Sequence, residues 1–576
     1  MQRVFPILDW LGSYKRKDLP KDLLAGLTIG IVLIPQGMAY AMIAGLPPVY
    51  GLYAAVFPII VYTLLGTSRQ LGVGPVAMDS ILLASGLGAL SINGIENYIA
   101  LAILLTFMVG ALQFILGISR MGFLVNFLSR PVISGFTSAA AIIIIFSQLK
   151  HLLGTEVAAR ADFVNTFIQS IQSIPDTHVF TLVIGLAAIV AIILLRRFVP
   201  RIPGILIVVV LAIIGASAFD WIGYGVEVVG AIPEGLPTFN VPSFSLKYMQ
   251  QLFPTAITLA VIGFTQAISI AQSLEEKNNR DAVDPNKELI ALGSANIIGS
   301  FFQSYTVTAS FSRTAINYKS GAQTLLSLLV GSILVILTLL FLTPIFYFLP
   351  NAILAAIIMV SVVGLIEINY PRELWKHQRD EFYLLLATFL ATLIMGILQG
   401  IVLGVLFSLI LMLYRTSKPH FAVLGKIRDS EYYKNVDRFS ADVELRPDLL
   451  IVRFDGQLFF GNKNYFKKEL SRFVRDKGKE LKCVILNSEA INYIDSSATS
   501  MLIQLIDELH RQNISFYMSG AIGPTRDIIF NSGIIDKLPK EHLFLRIQEA
   551  VDYYDKKHTA TELQERIAYQ RKGKGN

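Results

Sequence analysis

The chain contains a single cysteine, Cys483, in 576 residues. Without a second thiol there is no intramolecular disulfide and no two-cysteine metal site. Charge is scarce as well. Only 16% of residues are charged, against roughly 25% in soluble domains. The shortage is uneven: residues 1–419 hold 44 of the 91 charged side chains and residues 420–576 hold the other 47. An apolar body therefore precedes a stretch with the composition of an ordinary soluble domain. The net charge of +7 is not pooled in one patch, which argues against a nucleic-acid surface. Residues 1–21 carry Arg3, Lys15, Arg16, Lys17 and Lys21 but no small-residue cleavage site, so no secretory signal is expected. Neither part offers a P-loop, a metal-ligand cluster or a nucleophile–base pair. No catalytic residue, metal or cofactor is expected, and the chain is not expected to be an enzyme.

What the sequence does have is long apolar runs. The mean hydropathy is +0.57, and a bilayer needs about 20 apolar residues per helix. Fourteen candidate spans lie near 22–42, 48–66, 75–90, 98–118, 129–149, 178–198, 203–219, 251–274, 287–302, 309–317, 321–342, 344–366, 380–398 and 397–416. The third and tenth are too short to cross alone. Placing the loops alternately puts 21 basic residues on one side and three, Lys150, Arg160 and Lys247, on the other. The positive-inside rule then puts both termini in the cytoplasm.

The two short spans are the informative ones. One reads Gln70-Leu-Gly-Val-Gly-Pro-Val-Ala-Met-Asp-Ser80 and the other Gln303-Ser-Tyr-Thr-Val-Thr-Ala-Ser-Phe-Ser-Arg313. Each has an extended lead-in, at 71–73 and 305–308, followed by a helix start. Pro75 suits a first helical turn, and Ser310 or Thr308 suits a cap. Extended backbone at membrane depth survives only inside protein or beside a water-filled cavity. A pair of interrupted segments, one in each half, points to a transport site, and exposed helix N-termini favour an anion. Arg313 near the midplane is expected to face that cavity. Asp79 is the second intramembrane charge, and the two are expected to neutralise each other in part when the cavity is empty.

Several longer motifs then carry a resemblance. Pro35-Gln-Gly-Met-Ala-Tyr40, Ala44-Gly-Leu-Pro-Pro-Val-Tyr-Gly-Leu-Tyr53, Gly66-Thr-Ser-Arg69, Gly74-Pro-Val-Ala77 and Ala309-Ser-Phe-Ser-Arg313 resemble, in order, the signatures of the SulP (sulfate permease) family, the family of pendrin and prestin. The resemblance implies a polytopic α-helical fold of seven plus seven spans in inverted repeat. It implies a core domain (spans 1–4 and 8–11) moving against a gate domain (spans 5–7 and 12–14), in a homodimer; the compact tails separately suggest the cell (inner) membrane. It further implies an inorganic anion, sulfate above others, between the third and tenth spans. Gln36 and Tyr40 would line the site, Val76, Ala77, Phe311 and Ser312 would offer backbone N–H groups, and Arg313 would stand behind them. Bicarbonate or chloride/bicarbonate exchange and a channel-like anion protein remain open beside sulfate carriage. So do an anion receptor and a nucleobase carrier of similar architecture.

One position departs from the resemblance. Proton-coupled members carry a glutamate in the eighth span, where this chain has Gln266. A glutamine does not titrate near neutral pH, so Asp79 becomes the coupling candidate beside Gln266, with sodium coupling or electroneutral exchange as alternatives.

After residue 419 the pattern alternates between strands, at Leu449–Phe454, Cys483–Asn487 and Ser515–Ser519, and helices, at Ser496–Arg511 and near 524–532. Apolar Met501, Leu502, Leu505, Ile506 and Leu509 give the first helix its face. A mixed sheet with packed helices follows. Ile494-Asp-Ser-Ser-Ala-Thr499 resembles the phosphoswitch motif of STAS domains, which makes Ser497 a phosphosite candidate. Ala498 stands where the motif has glycine, and Asp495 or Ser496 also suits a plain helix cap. The STAS domain, 420–555, would serve regulation, trafficking or dimer contact, with a regulatory protein as partner. The polar tail 556–576 is expected to be a fraying helix end.

Overall fold

The computed structural model describes residues 6–7, 11–12, 14–90, 92–123, 129–155, 163–199, 204–278, 283–439 and 442–555. The expectations for Arg3, Arg160 and the tail 556–576 fall outside these residues, as do Arg201 and Arg280 of the 21 basic residues placed on one side. The chain divides into two compact units, Met1–Ser408 and Leu409–Asn576.

The first unit is helical. Its helices are α1 (Leu19–Ile43), α2 (Val49–Tyr53), α3 (Phe57–Leu65), α4 (Ala77–Gly88), α5 (Ile95–Ile118), α6 (Arg130–Leu153), α7 (Phe163–Gln172), α8 (Val179–Phe198), α9 (Gly204–Ala218), α10 (Leu246–Asn278), α11 (Pro285–Phe301), α12 (Phe311–Lys319), α13 (Leu326–Phe341), α14 (Asn351–Val363), α15 (Asn369–His377), α16 (Arg379–Met395) and α17 (Ile397–Ser417), which runs on into the second unit. Helix occupies each of the fourteen intervals read from hydropathy. Among the described residues six helices, α1, α5, α6, α8, α10 and α17, are long and apolar enough to cross a membrane. The short amphipathic helices α7 and α15 lie between the intervals. Each leaves apolar side chains exposed, Val164 and Phe167 on α7 and Trp375 on α15, as suits helices lying at an interface.

Glycine sets the closest helix crossings. A Cβ on Gly26 of α1 would fall 2.5 Å from the Ser327 carbonyl oxygen of α13. On Gly110 of α5 it would fall 2.6 Å from the Ile297 nitrogen of α11. Only small residues let these backbones meet.

Two fully buried carboxylates bind loops distant in sequence. Asp22 accepts from the backbone N–H of Gln323 (2.6 Å) and Thr324 (3.2 Å) and from the Thr324 hydroxyl (2.7 Å). Glu288 accepts from the Thr67 N–H (2.8 Å), the Ser68 N–H (3.0 Å) and the Tyr62 hydroxyl (2.9 Å). Charge-assisted bonds to backbone N–H groups offset the burial of each charge.

The second unit is a mixed sheet with helices on it. Its strands β3 (Phe421–Ile427), β4 (Tyr433–Asn435), β5 (Val443–Glu444), β6 (Leu449–Phe454), β7 (Cys483–Asn487), β8 (Ser515–Ser519) and β9 (Leu543–Phe544) follow β1 (Val73–Gly74) and β2 (Thr308–Ala309) of the first unit. They run in the order β4-β3-β6-β7-β8-β9, with β5 on β3. β6 through β9 are parallel and β3 is antiparallel to β6. α18 (Lys463–Lys477), α19 (Ser496–Arg511) and α20 (Gly523–Asn531) make the crossovers, and α21 (Ile547–Tyr554) ends the unit. Alternation along β6 explains the two cores. Leu450, Val452 and Phe454 pack with Phe466 of α18 and Leu502 and Leu505 of α19, while Leu449 and Ile451 pack with Ala550 and Val551 of α21. The strands and helices read from the sequence stand in place; β3, β4, β5, β9, α18 and α21 were not among them.

Candidate functional site

The two interrupted segments meet. β1 (Val73–Gly74) pairs antiparallel with β2 (Thr308–Ala309), Val73 opposite Ala309 and Gly74 opposite Thr308. α4 and α12, 12 and 9 residues long, leave from this crossing. α4 begins at Ala77 with Val76 as its N-cap, so Pro75 stands before the helix rather than in its first turn. Val76 is extended (φ −133°, ψ 149°), a conformation it shares with the lead-in, and this delays helix entry past the proline. α12 is capped by Ser310, whose side chain accepts from the Arg313 N–H.

Helices around the crossing satisfy its backbone. The amide of Asn296, on α11, donates to the Val307 carbonyl (3.1 Å) and accepts from the Val307 N–H (2.9 Å). Gln266 of α10 donates to the Ala309 carbonyl at 3.2 Å. The Ser310 N–H donates to the Gly72 carbonyl at 2.9 Å, the Gly72 N–H to Thr314 Oγ1 at 2.8 Å, and Asn317 Nδ2 to the Gln70 carbonyl at 3.0 Å. Asn296 is itself oriented by Gln113 of α5 at 3.1 Å. Extended backbone persists in this apolar setting because its polar groups are bonded.

Arg313 is 0% exposed, and its Nε, Nη1 and Nη2 have no hydrogen-bond partner among the described residues. The side chain lies along the first lead-in. A Cβ on Gly72 would come within 2.8 Å of Arg313 Cβ, and one on Gly74 within 3.4 Å of Nη2. Gly74 also has φ +149°, a backbone that glycine adopts without strain. Tyr40 and Tyr305 lie within electrostatic reach of the guanidinium, and Ser80 Oγ donates to Tyr305 Oη at 3.3 Å. Gln36, one helical turn from Tyr40 on α1, is 3% exposed with Oε1 unpartnered among the described residues. Val76 and Ala77 are buried, whereas Phe311 and Ser312 are exposed, so the N-terminus of α12 opens on accessible space. The first N–H groups of both helices have no intrahelical acceptor. A buried unpaired guanidinium beside two helix N-termini is suited to an oxyanion.

One expectation about the site is corrected. Asp79, 3% exposed in the first turn of α4, is not paired with Arg313: its Oδ1 and all three Arg313 side-chain nitrogens lack hydrogen-bond partners among the described residues. Each faces other neighbours: the Arg313 guanidinium lies within electrostatic reach of Tyr40 and Tyr305, and Asp79 Oδ2 faces Gly263 of α10. Gln266 is engaged by the Ala309 carbonyl. In the second unit Asp495 caps α19, accepting from the Ala498 N–H at 2.7 Å and the Phe460 N–H at 2.8 Å, and Ser497 is half-buried in its first turn.

Sequence reasoning missed Asn296, Gln113, Asp22 and Glu288. For Asn296 and Gln113 a signal existed, a polar residue inside an apolar span.

A helical membrane body holding two crossed half-helices, followed by a C-terminal α/β domain, defines a class of membrane transporters. The chain belongs to the sulfate permease family, whose profile matches residues 19–388, and residues 440–550 match the STAS domain. It is a multi-pass membrane anion transporter with a C-terminal STAS domain. It is 36% identical to "Sulfate transporter 4.1, chloroplastic" of Arabidopsis thaliana, across 95% of this chain and 82% of that protein. It is 32% identical to "High affinity sulfate transporter 1" of Stylosanthes hamata, across 97% and 87%. The solved structure of the murine Solute Carrier 26 family member A9 anion transporter in the inward-facing state superposes with a TM-score of 0.89 at 27% identity, covering 96% of this chain and 94% of that one.

Proposed function

We propose that the chain is a secondary-active sulfate carrier working by alternating access, with the dianion held between the N-termini of α4 and α12. The observation that carries this reading is Arg313, a fully buried cation whose three side-chain nitrogens find no hydrogen-bond partner among the described residues. Leaving such a charge unpaired is costly, and an oxyanion satisfies it bidentately. Gln36 and Tyr40 line the same space from α1. Val76, Ala77, Phe311 and Ser312 offer backbone N–H groups, and none of these donors holds the anion with a second fixed charge. The sulfate transporters named above support the choice of anion.

In this reading residues 22–419 form fourteen spans in two inverted repeats, with core spans 1–4 and 8–11 rocking against gate spans 5–7 and 12–14. Residues 1–21 and the STAS domain, 420–555, with its tail 556–576, are cytoplasmic. The protein is a homodimer of the cell (inner) membrane, is not an enzyme, and meets a regulatory protein through its STAS domain. The cap geometry of Asp495 favours a structural role for the segment around Ser497.

The test is uptake of radiolabelled sulfate by proteoliposomes holding the full chain, with bicarbonate, chloride and dicarboxylates as competitors. Saturable uptake that Arg313→Ala abolishes is the expected result. Competition by bicarbonate or chloride in preference to sulfate reassigns the substrate, and binding without flux ends the carrier reading.

A further inference from the structure

We infer that Asp79 is a proton site linked to anion binding at the crossing, so that a proton travels with the anion. The inference rests on the carrier reading above.

Asp79 lies three residues after the N-cap Val76. It is 3% exposed, and Oδ1 has no hydrogen-bond partner among the described residues. Its other oxygen faces Gly263 of α10, where a Cβ would come within 3.4 Å. The Thr308 hydroxyl beside it is committed to the Gly263 carbonyl at 2.7 Å. Of the ionisable groups around it, Tyr305 of the second lead-in interacts with Asp79, and Tyr305 in turn interacts with Arg313 and Tyr40. α1 contributes Tyr40. α5, α6 and α10 carry their charged residues toward their ends: Glu96 on α5, Arg130, Lys150 and His151 on α6, and Lys247 with 275–277 on α10.

An ionised carboxylate without a cation at this depth is costly. In the first turn of α4 it would also occupy the positive helix end and repel an arriving anion. A proton on Asp79 removes both penalties and leaves the N–H groups to the anion. The two binding events are then coupled, and coupling is reciprocal: the anion favours the protonated carboxyl, and the proton favours the bound anion. An O–H bond forms at Asp79 with a proton from the side the anion enters and breaks with its release on the other. Gln266, held by Ala309 and untitratable, has no part in this exchange.

The test uses the full chain in vesicles containing a pH-sensitive dye. Sulfate entry through the wild-type carrier should acidify the lumen, and an inward proton gradient should speed uptake about fivefold or more, the lower end of ordinary couplings. Asp79→Asn should flatten the dependence of sulfate exchange on pH, whatever its absolute rate. Sulfate entry without acidification, stimulation by a sodium gradient instead, or an unchanged pH profile in Asp79→Asn overturns the inference. The dye measurement needs no variant, so a poorly folding Asp79→Asn does not remove the test. A wild-type chain that moves no anion under any gradient fails at the carrier reading itself, which distinguishes the two failures.

Discussion

The Asn296 side chain bonds both backbone groups of Val307, donating to its carbonyl at 3.1 Å and accepting from its N–H at 2.9 Å. One amide thus acts as the strand partner that Val307 lacks, at a place where Val307 is 1% and Asn296 0% exposed. Asn296→Ala leaves two buried backbone groups unsatisfied, at about 1–3 kcal/mol each. A lower melting temperature in detergent and a loss of transport are expected. Thermal denaturation of the purified variant against the wild type checks this, and an unchanged midpoint would show that the two bonds do not hold the break.

Gly72→Ala should stop transport by a different route. Its Cβ would lie 2.8 Å from Arg313 Cβ and 2.9 Å from the Thr314 nitrogen, so the two half-helices must separate. Overpacking of this kind costs about 1–3 kcal/mol. Gly88, near the end of α4, has nothing within 4 Å of its Cβ position. Gly88→Ala is the matched control and should transport as the wild type does in the same uptake assay.

Arg313→Met should separate stability from function. Replacing a buried unpaired charge with an apolar side chain of similar length is expected to leave the melting temperature in sulfate-free buffer unchanged or raised. The same change should abolish the added stability that sulfate gives the wild type through mass action. A melting series against sulfate concentration reads both effects. A variant that sulfate still stabilises would place the anion elsewhere.

The STAS domain carries an acid-sensitive contact. Arg446 donates to both oxygens of Asp448, Nε to Oδ1 at 3.0 Å and Nη2 to Oδ2 at 2.7 Å. These bonds hold the carboxyl below its usual range. A carboxylate so held stabilises the fold above its unfolded value, about 3.9 for aspartate, and the contribution is lost as pH falls through the lower folded value. Arg446→Ala should therefore make the domain unfold at a higher pH during acidification. Brief pepsin digestion between pH 2 and 5 measures the shift, and identical cleavage profiles would discount the contact.

Composition and order along the chain were enough to read much of this protein. Charge scarcity up to residue 419 marked the membrane body. Glycine, proline and serine at 72–75 and 310–312 marked the breaks, because local backbone preference there depends on neighbours in sequence. The alternation in β6 and the period of α19 marked the soluble domain in the same way. Tertiary structure alone decided who satisfies the breaks. Gly72 finds Thr314, Ala309 finds Gln266, and Glu288 finds Thr67 and Ser68, partners far apart in the chain. It also decided that Asp79 and Arg313 do not pair with each other: among the described residues Asp79 Oδ1 and the three Arg313 side-chain nitrogens find no hydrogen-bond partner. Whether two charges meet depends on the relative placement of two half-helices, and no local pattern of residues encodes that distance.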